Sequence, residues 1–105
     1  MRGLDGWITP TSNALPTPLD DYATVDAVAA WNARTSRNAR PANLFGQCGV
    51  SLPIQRLRTA QPVGLQVVCE PRHDSKLLSI ALAIEDIVGR PLRPELSDFV
   101  DRVAA

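Results

Sequence analysis

Cys69 lies four residues before His73, and Asp74 follows it directly. A thiol, an imidazole and a carboxylate are the parts of a nucleophile, its base and an orienting group. They are also three corners of a metal site. Two facts weigh against both chemistries. His73 is the only histidine and there are only two cysteines, Cys48 and Cys69, too few to fill a four-ligand zinc site without a carboxylate. Cys69 also ends the apolar run Val63–Cys69, while 71–74 reads as a turn into a capped helix. The simpler reading is a core thiol beside a turn, so no metal and no cofactor is expected.

Three arginines recur at every third position, Arg34, Arg37 and Arg40. Guanidinium forks match carboxylates, so Arg37 and Arg40 are candidate pocket residues. Their alternative role is pairing with Asp20, Asp21 or Asp26 at the surface. Lys76 is the only lysine among eleven basic residues. Any chemistry that needs an amine therefore has one candidate.

The elements that would position these groups follow from apolar periodicity and breakers. Trp7-Ile8-Thr9 is a short β-prone run stopped by Pro10. The segment 10–21 carries Pro10, Pro16 and Pro18 and is expected as an irregular exposed loop. Thr24 caps a helix over about 25–34 whose apolar face holds Val25, Val28 and Ala29, with Trp31 at its edge. Pro41 pushes Arg40 out of helical geometry and itself opens a short turn of helix toward Gly46. Cys48–Leu52 reads as a strand ended by Pro53, and 54–61 as a loop or hairpin connection. Val63–Cys69 is nearly all apolar, the mark of a strand covered on both faces. Asp74 or Ser75 caps the clearest helix, 76–88, with Leu77, Ile80, Ala81, Ile84, Ile87 and Val88 on one wide face. Gly89 ends it and Pro91 prevents continuation. An amphipathic helix is expected within the C-terminal stretch 91–105.

The chain is α/β, with about three strands of a mixed sheet and two to three helices. Its 105 residues are 45% hydrophobic and 21% charged, which excludes intrinsic disorder as the default state. Eleven basic and eleven acidic residues give zero formal net charge, against the basic surplus of a nucleic-acid binder. No apolar stretch reaches the length of a membrane span, and the N-terminal residues show no export signal core. Both cysteines sit in apolar runs, so a cytoplasmic protein with reduced thiols is expected.

Four segments together resemble the C-terminal portion of amidase-signature enzymes. Asp5-Gly6-Trp7-Ile8-Thr9-Pro10-Thr11 is similar to the family's D-x-h-h-x-P-T segment. Arg40-Pro41-Ala42-Asn43-Leu44-Phe45-Gly46, followed by Val50-Ser51-Leu52-Pro53, resembles x-P-A-N-x-x-G-x-P-A-h-S-h-P. Gln61–Val68 is similar to the strand L-P-V-G-h-Q-h-h, and Leu77–Glu85 to the closing helix L-L-x-h-A-x-x-h-E. The order and spacing match over residues 5–90.

The resemblance implies one segment, 1–105, of a single amidase-signature domain, and an enzyme class that cleaves a carboxamide C–N bond through a Ser acyl-enzyme. It also implies that the nucleophilic Ser, a second Ser and a Lys lie in an N-terminal half outside these residues. No catalytic residue is therefore assigned, and Lys76, in a helix first turn, is not expected to be the family's lysine. Thr9, Pro10 and Thr11 border the pocket in such a frame, beside Arg37 and Arg40. Asn43, Gly46, Pro53, Gly64 and Gln66 fall on structural motif positions. Two departures stand out. Gln47-Cys48-Gly49 replaces an apolar-Pro-Ala step. Ser36 stands where the family's transfer-RNA amidotransferase branch carries a substrate-binding Asp, which favours a free-standing amidohydrolase.

The expected partners are the N-terminal half or a second copy of the chain, and a small-molecule amide in the complete enzyme. Nucleic acid and membrane are not among them. The rival reading is a non-enzymatic structural or interaction module that docks on a larger protein.

Overall fold

A computed structural model describes residues 2–54, 61 and 63–89. The helix expected within 91–105 and most of the 54–61 connection lie outside the described residues. Three strands, β1 (Trp7–Pro10), β2 (Cys48–Ile54) and β3 (Val63–Cys69), form one sheet in the order β1-β3-β2. Both pairings are antiparallel. Three helices complete the α/β arrangement: α1 (Val25–Thr35), α2 (Arg40–Leu44) and α3 (Asp74–Val88). The parallel neighbour that a mixed sheet requires is not among the described strands.

The outer position of β1 and β2 explains where the prolines sit. Pro10 pairs with Leu65 as the last residue of β1, and Pro53 pairs with Gly64 within β2. The sequence reading that β1 stops at Pro10 holds, whereas β2 runs one residue past Pro53 to Ile54 rather than ending at Leu52. On an edge strand the missing N–H costs no ladder bond when it points away from the sheet. The irregular loop of 10–21 is accordingly narrower than its prolines imply, because Pro10 belongs to β1 and Leu19–Tyr22 wind a 3₁₀ turn.

Strand alternation divides the sheet into two faces. On one, Cys48, Val50 and Leu52 stand opposite Cys69, Val67 and Leu65. α3 lies on this face, and Val67, Cys69 and Leu77 form its buried cluster, with Ile80 and Ile84 packed against it. Only part of the apolar stripe of α3 is used. Leu77 is 4% exposed and Ala81 is buried, whereas Ile87 on the same stripe is 83% exposed.

The helix ends show which local signals operate. Thr24 Oγ1 accepts the Ala27 N–H at 3.2 Å and starts α1, as its side-chain chemistry predicts. The apolar face read for α1 is not buried: Val25 is 84% exposed. The helix is anchored instead by Trp31, whose ring meets Tyr22 edge-on at 5.3 Å. Arg40 is the first residue of α2 rather than being excluded from it. Its N–H reaches the Ser36 carbonyl at 3.2 Å, which offsets the crowding from Pro41. At α3 the cap position falls to His73, without a side-chain cap bond, and Asp74 enters the first turn. There its negative charge faces the positive end of the helix dipole. Gly89 ends α3 with φ 76°, its N–H bonded to the Glu85 carbonyl.

Lys76 Nζ holds Asp5 Oδ1 at 2.5 Å, tying the turn before β1 to the first turn of α3. The Lys76 ammonium holds the Asp5 carboxyl below its ordinary range, and Asp5 raises the Lys76 amine in return. Both groups are solvated, so the pair contributes little. Its sign is definite. The carboxyl's share is present above the unfolded carboxylate value and is lost as pH falls through the lower folded one; the amine's share is lost at the alkaline end.

Two measurements check this account. Leu77→Ala is expected to cost about 2–5 kcal/mol in urea unfolding, while Ile87→Ala changes stability by no more than about 0.5 kcal/mol. Asp5→Asn is expected to flatten the acid limb of stability against pH below about pH 4, and an unchanged limb would show the ion pair to be silent.

Candidate functional site

The face of the sheet away from α3 carries a different chemistry. Its columns are Trp7, Thr9 and Thr11 on β1 and just beyond it, Val68, Gln66 and Gly64 on β3, and Gly49, Ser51 and Pro53 on β2. Small and hydroxyl-bearing residues replace the aliphatic set, and Gln66 is buried at the centre with 8% exposure.

Gly64 shapes this face. Thr11 and Ser51 come from the two outer strands and their ends, yet their hydroxyls meet across β3 at 2.5 Å. They can do so only because nothing stands on Gly64. A Cβ there would lie 2.5 Å from Thr11 Oγ1 and 2.7 Å from Ser51 Oγ. The backbone follows the same geometry, with the Thr11 N–H donating to the Gly64 carbonyl at 2.8 Å.

Cavities open on both sides of the hydroxyl pair. One, about 390 Å³, runs under the proline loop between Leu15, Pro16, Trp31 and Thr35. The other, about 270 Å³, lies between the hydroxyl pair, Gln66 and α2, with Asn43 and Gln47 in its wall. A shallower groove beyond β1 is lined by Thr9, Pro10, Asn13 and Asn38. Trp31 stands in the wall of the first and Gln66 in the wall of the second, and each has one buried side-chain atom, Trp31 Nε1 and Gln66 Oε1, without a hydrogen-bond partner. Among the described residues no charged side chain lines any of the three. A hydroxyl needs an adjacent base to become a nucleophile, and the described residues of these walls offer none. Their amides and hydroxyls are hydrogen-bonding groups without charge.

The residues singled out from sequence distribute as follows. Thr9 and Thr11 stand on this face, whereas Pro10, the partner of Leu65, alternates to the other; Thr9 and Pro10 both line the groove beyond β1. The Pro10 carbonyl accepts the Asn38 Nδ2 at 2.8 Å, which pins the end of β1 to the turn between α1 and α2. Arg37 is exposed in that turn, and Arg40 borders an apolar dish with Pro41, Leu44 and Phe45. Neither arginine lines the three cavities. Asn43 is exposed at the last turn of α2, and its carbonyl accepts the Gly46 N–H at 3.2 Å. Gly46 turns the chain with φ 61°. Pro53 and Gly64 are cross-strand partners.

Ser51, Gln47 and Trp31 are cavity residues that sequence reasoning does not select. Ser51 owes its place to a strand register that no local signal encodes. Gln47 is held by the Trp7 indole N–H, which donates to its Oε1 at 3.4 Å.

The Cys69–His73 pair separates in space. Cys69 lies in the core beneath α3, and burial pushes its thiol up. The His73 ring contacts the Pro71 carbonyl. Cys48 is the cross-strand neighbour of Cys69, and its thiol donates to the Glu70 carbonyl. Both cysteines are free thiols. Among the described residues no three His, Cys, Asp or Glu side chains converge on a metal position. No helix among them is long and apolar enough to cross a membrane.

Gly64→Ala is expected to destabilise the fold by about 1–3 kcal/mol, the usual cost of overpacking. Adding Ser51→Ala removes one of the two clashing oxygens and should recover part of that loss. A double-mutant cycle by urea unfolding measures the coupling.

No family model matches the chain, and no solved structure matches it. Curated relatives do. It is 39% identical over 87 residues to the 2-amino-5-chloromuconic acid deaminase of Comamonas testosteroni, covering 83% of this chain and 19% of that protein. It is 37% identical over 102 residues to the mandelamide hydrolase of Pseudomonas putida, covering 96% of this chain and 20% of the relative. A glutamyl-tRNA(Gln) amidotransferase polypeptide of Salinispora tropica is 41% identical over 54 residues, 51% of this chain and 11% of its own. The chain thus spans about a fifth of the length of the first two relatives. Matched to these enzymes across nearly its whole length, the chain belongs to the amidase-signature family as a segment of it.

Proposed function

We infer that this chain forms the C-terminal portion of an amidase-signature amidohydrolase, whose complete form hydrolyses a carboxamide C–N bond. In that chemistry a serine oxygen attacks the amide carbonyl, the amine leaves with a proton, and water hydrolyses the acyl-enzyme ester. The serine, its partner serine and the lysine come from sequence outside these residues. This segment supplies three strands, the α3 cover and one wall of the substrate pocket. Alone it is inactive.

The observation that carries the reading is the match to two relatives five times as long, one of them an amide hydrolase. The surface agrees with it. Six hydrophobic residues are buried among the described ones, whereas twelve large hydrophobics are exposed. A core so small, with the outer edges of β1 and β2 unpaired among the described residues, suits a sheet continued by further strands. The neutral cavities agree as well, since a pocket wall that orients an uncharged amide needs hydrogen-bonding groups rather than charge. The favoured docking partner is the N-terminal half, with self-association when that half is missing.

Replacing the corresponding fifth of the mandelamide hydrolase with this chain tests the reading. The chimera is expected to hydrolyse an aryl amide, while the purified chain shows no turnover. Turnover by the chain alone that disappears in Ser51→Ala would overturn the division of labour. A monodisperse monomer that melts cooperatively, binds no apolar dye and fails in the chimera would favour the interaction module instead.

A further inference from the structure

Cys48 and Cys69 are free thiols on directly opposite positions of β2 and β3. Residues opposed in an antiparallel pair send their side chains to the same face, with Cα atoms about 4.5–5.5 Å apart. A disulfide needs Cα atoms about 4.4–6.8 Å apart, so the register alone puts this pair within bonding reach. The contacts agree. Cys48 packs against the buried cluster that contains Cys69, and its thiol donates at 3.1 Å to the carbonyl of Glu70, the residue that follows Cys69. The Cys69 thiol is pushed up by burial first and by the neighbouring Cys48 second. We propose that Cys48 and Cys69 form a reversible dithiol–disulfide switch, which takes a low-molecular-weight disulfide as its oxidant and, once oxidised, locks the start of β2 to the end of β3.

Burial gives the two thiols unequal roles. Cys48 is partly buried, whereas Cys69 has no exposure. The thiolate is the attacking species, and burial keeps the proton on the Cys69 sulfur, so Cys48 meets the oxidant first. Its sulfur attacks one sulfur of the small disulfide and forms a mixed disulfide, and its proton passes to the departing small thiolate. The Cys69 sulfur then attacks the Cys48 sulfur, and its own proton leaves with the second small thiol. Two protein thiols lose two electrons, and one small disulfide is reduced to two thiols. Both sulfurs must turn for this. In the reduced state the Cys48 thiol rests on the Glu70 carbonyl. The Cys69 sulfur lies beside Gly6, where an added Cβ would stand 3.2 Å from it. Rotation about each Cα–Cβ bond exchanges these resting contacts for the S–S bond, and no strand has to leave the sheet. Cys48 stands in the Gln47-Cys48-Gly49 step, so the second thiol enters where the chain departs from the amidase-signature pattern.

The test equilibrates the full chain with mixtures of reduced and oxidised glutathione, with and without urea, and reads the acid-quenched products by intact mass and peptide mapping. The native chain is expected to lose the mass of two hydrogens and to yield one peptide pair joined through Cys48 and Cys69. Excess reduced glutathione should reverse the bond. Without urea the oxidation constant should be at least about tenfold above its value in urea, because paired strands hold the two thiols at a high effective concentration. Oxidation and folding form a closed cycle, so the oxidised chain must gain the same factor in its folding equilibrium, read as a higher urea midpoint. Cys69→Ala should stop at the mixed disulfide on Cys48. Equal oxidation constants with and without urea would overturn the proposal. So would a bond between two chains in place of the internal one, a stable mixed disulfide on the native wild-type chain, or a Cys69→Ala chain that takes up no glutathione.

Discussion

A buried strand must find partners for its backbone on both edges and cover for its side chains on both faces. β3 is that strand, and the rest of the molecule is arranged by its demands. Val67, Val68 and Cys69 have essentially no exposure, so β1 and β2 pair along its two edges and α3 closes one face. Because β1 and β2 are outermost among the described strands, β2 accepts Pro53 within it and β1 ends on Pro10. Because α3 takes the aliphatic face, the opposite face is left for short polar side chains, and the site forms there.

Gly64 links this fold requirement to the site. The antiparallel register places it between Thr11 and Pro53, and its lack of a side chain lets two hydroxyls from separate strands meet above it. A single missing Cβ thus ties the two outer strands together and sets the wall shared by the two inner cavities. Gly6 follows the same logic at the other end of the sheet, where a Cβ would fall 2.6 Å from the Val68 carbonyl. β1 can reach β3 closely because small residues lead into it.

Much of the fold is legible in the sequence because its signals are local. The apolar run of β3, the Thr24 cap, the helix-opening Pro41 and the glycine after α3 each act through their own backbone or a neighbour within a turn. What the sequence does not show depends on distant context. Whether Pro53 ends its strand depends on which strands lie outermost. Whether Val25 and Ile87 are buried depends on what packs against α1 and the end of α3, and apolar periodicity marks a face capable of burial without naming its cover. The site divides in the same way. Thr9, Pro10 and Thr11 are accessible through a motif, whereas Ser51 joins them only through the pairing of β2 with β3. The arginine spacing suggests a carboxylate grip on a helical stripe. The turn at 36–39 breaks that stripe, and neither Arg37 nor Arg40 lines the three cavities, whose described walls are uncharged.

That neutrality divides the chemistry as well as the surface. Breaking an amide bond requires a proton acceptor near the nucleophile and donors for the developing oxyanion. The one lysine of the chain is committed to Asp5 at the foot of α3, and the one histidine to a turn carbonyl. The cavity walls instead hold amides and hydroxyls, groups that fix orientation without changing charge. Among the described residues the segment thus offers groups that position rather than react, which is consistent with a sequence that matches only a fifth of a whole hydrolase.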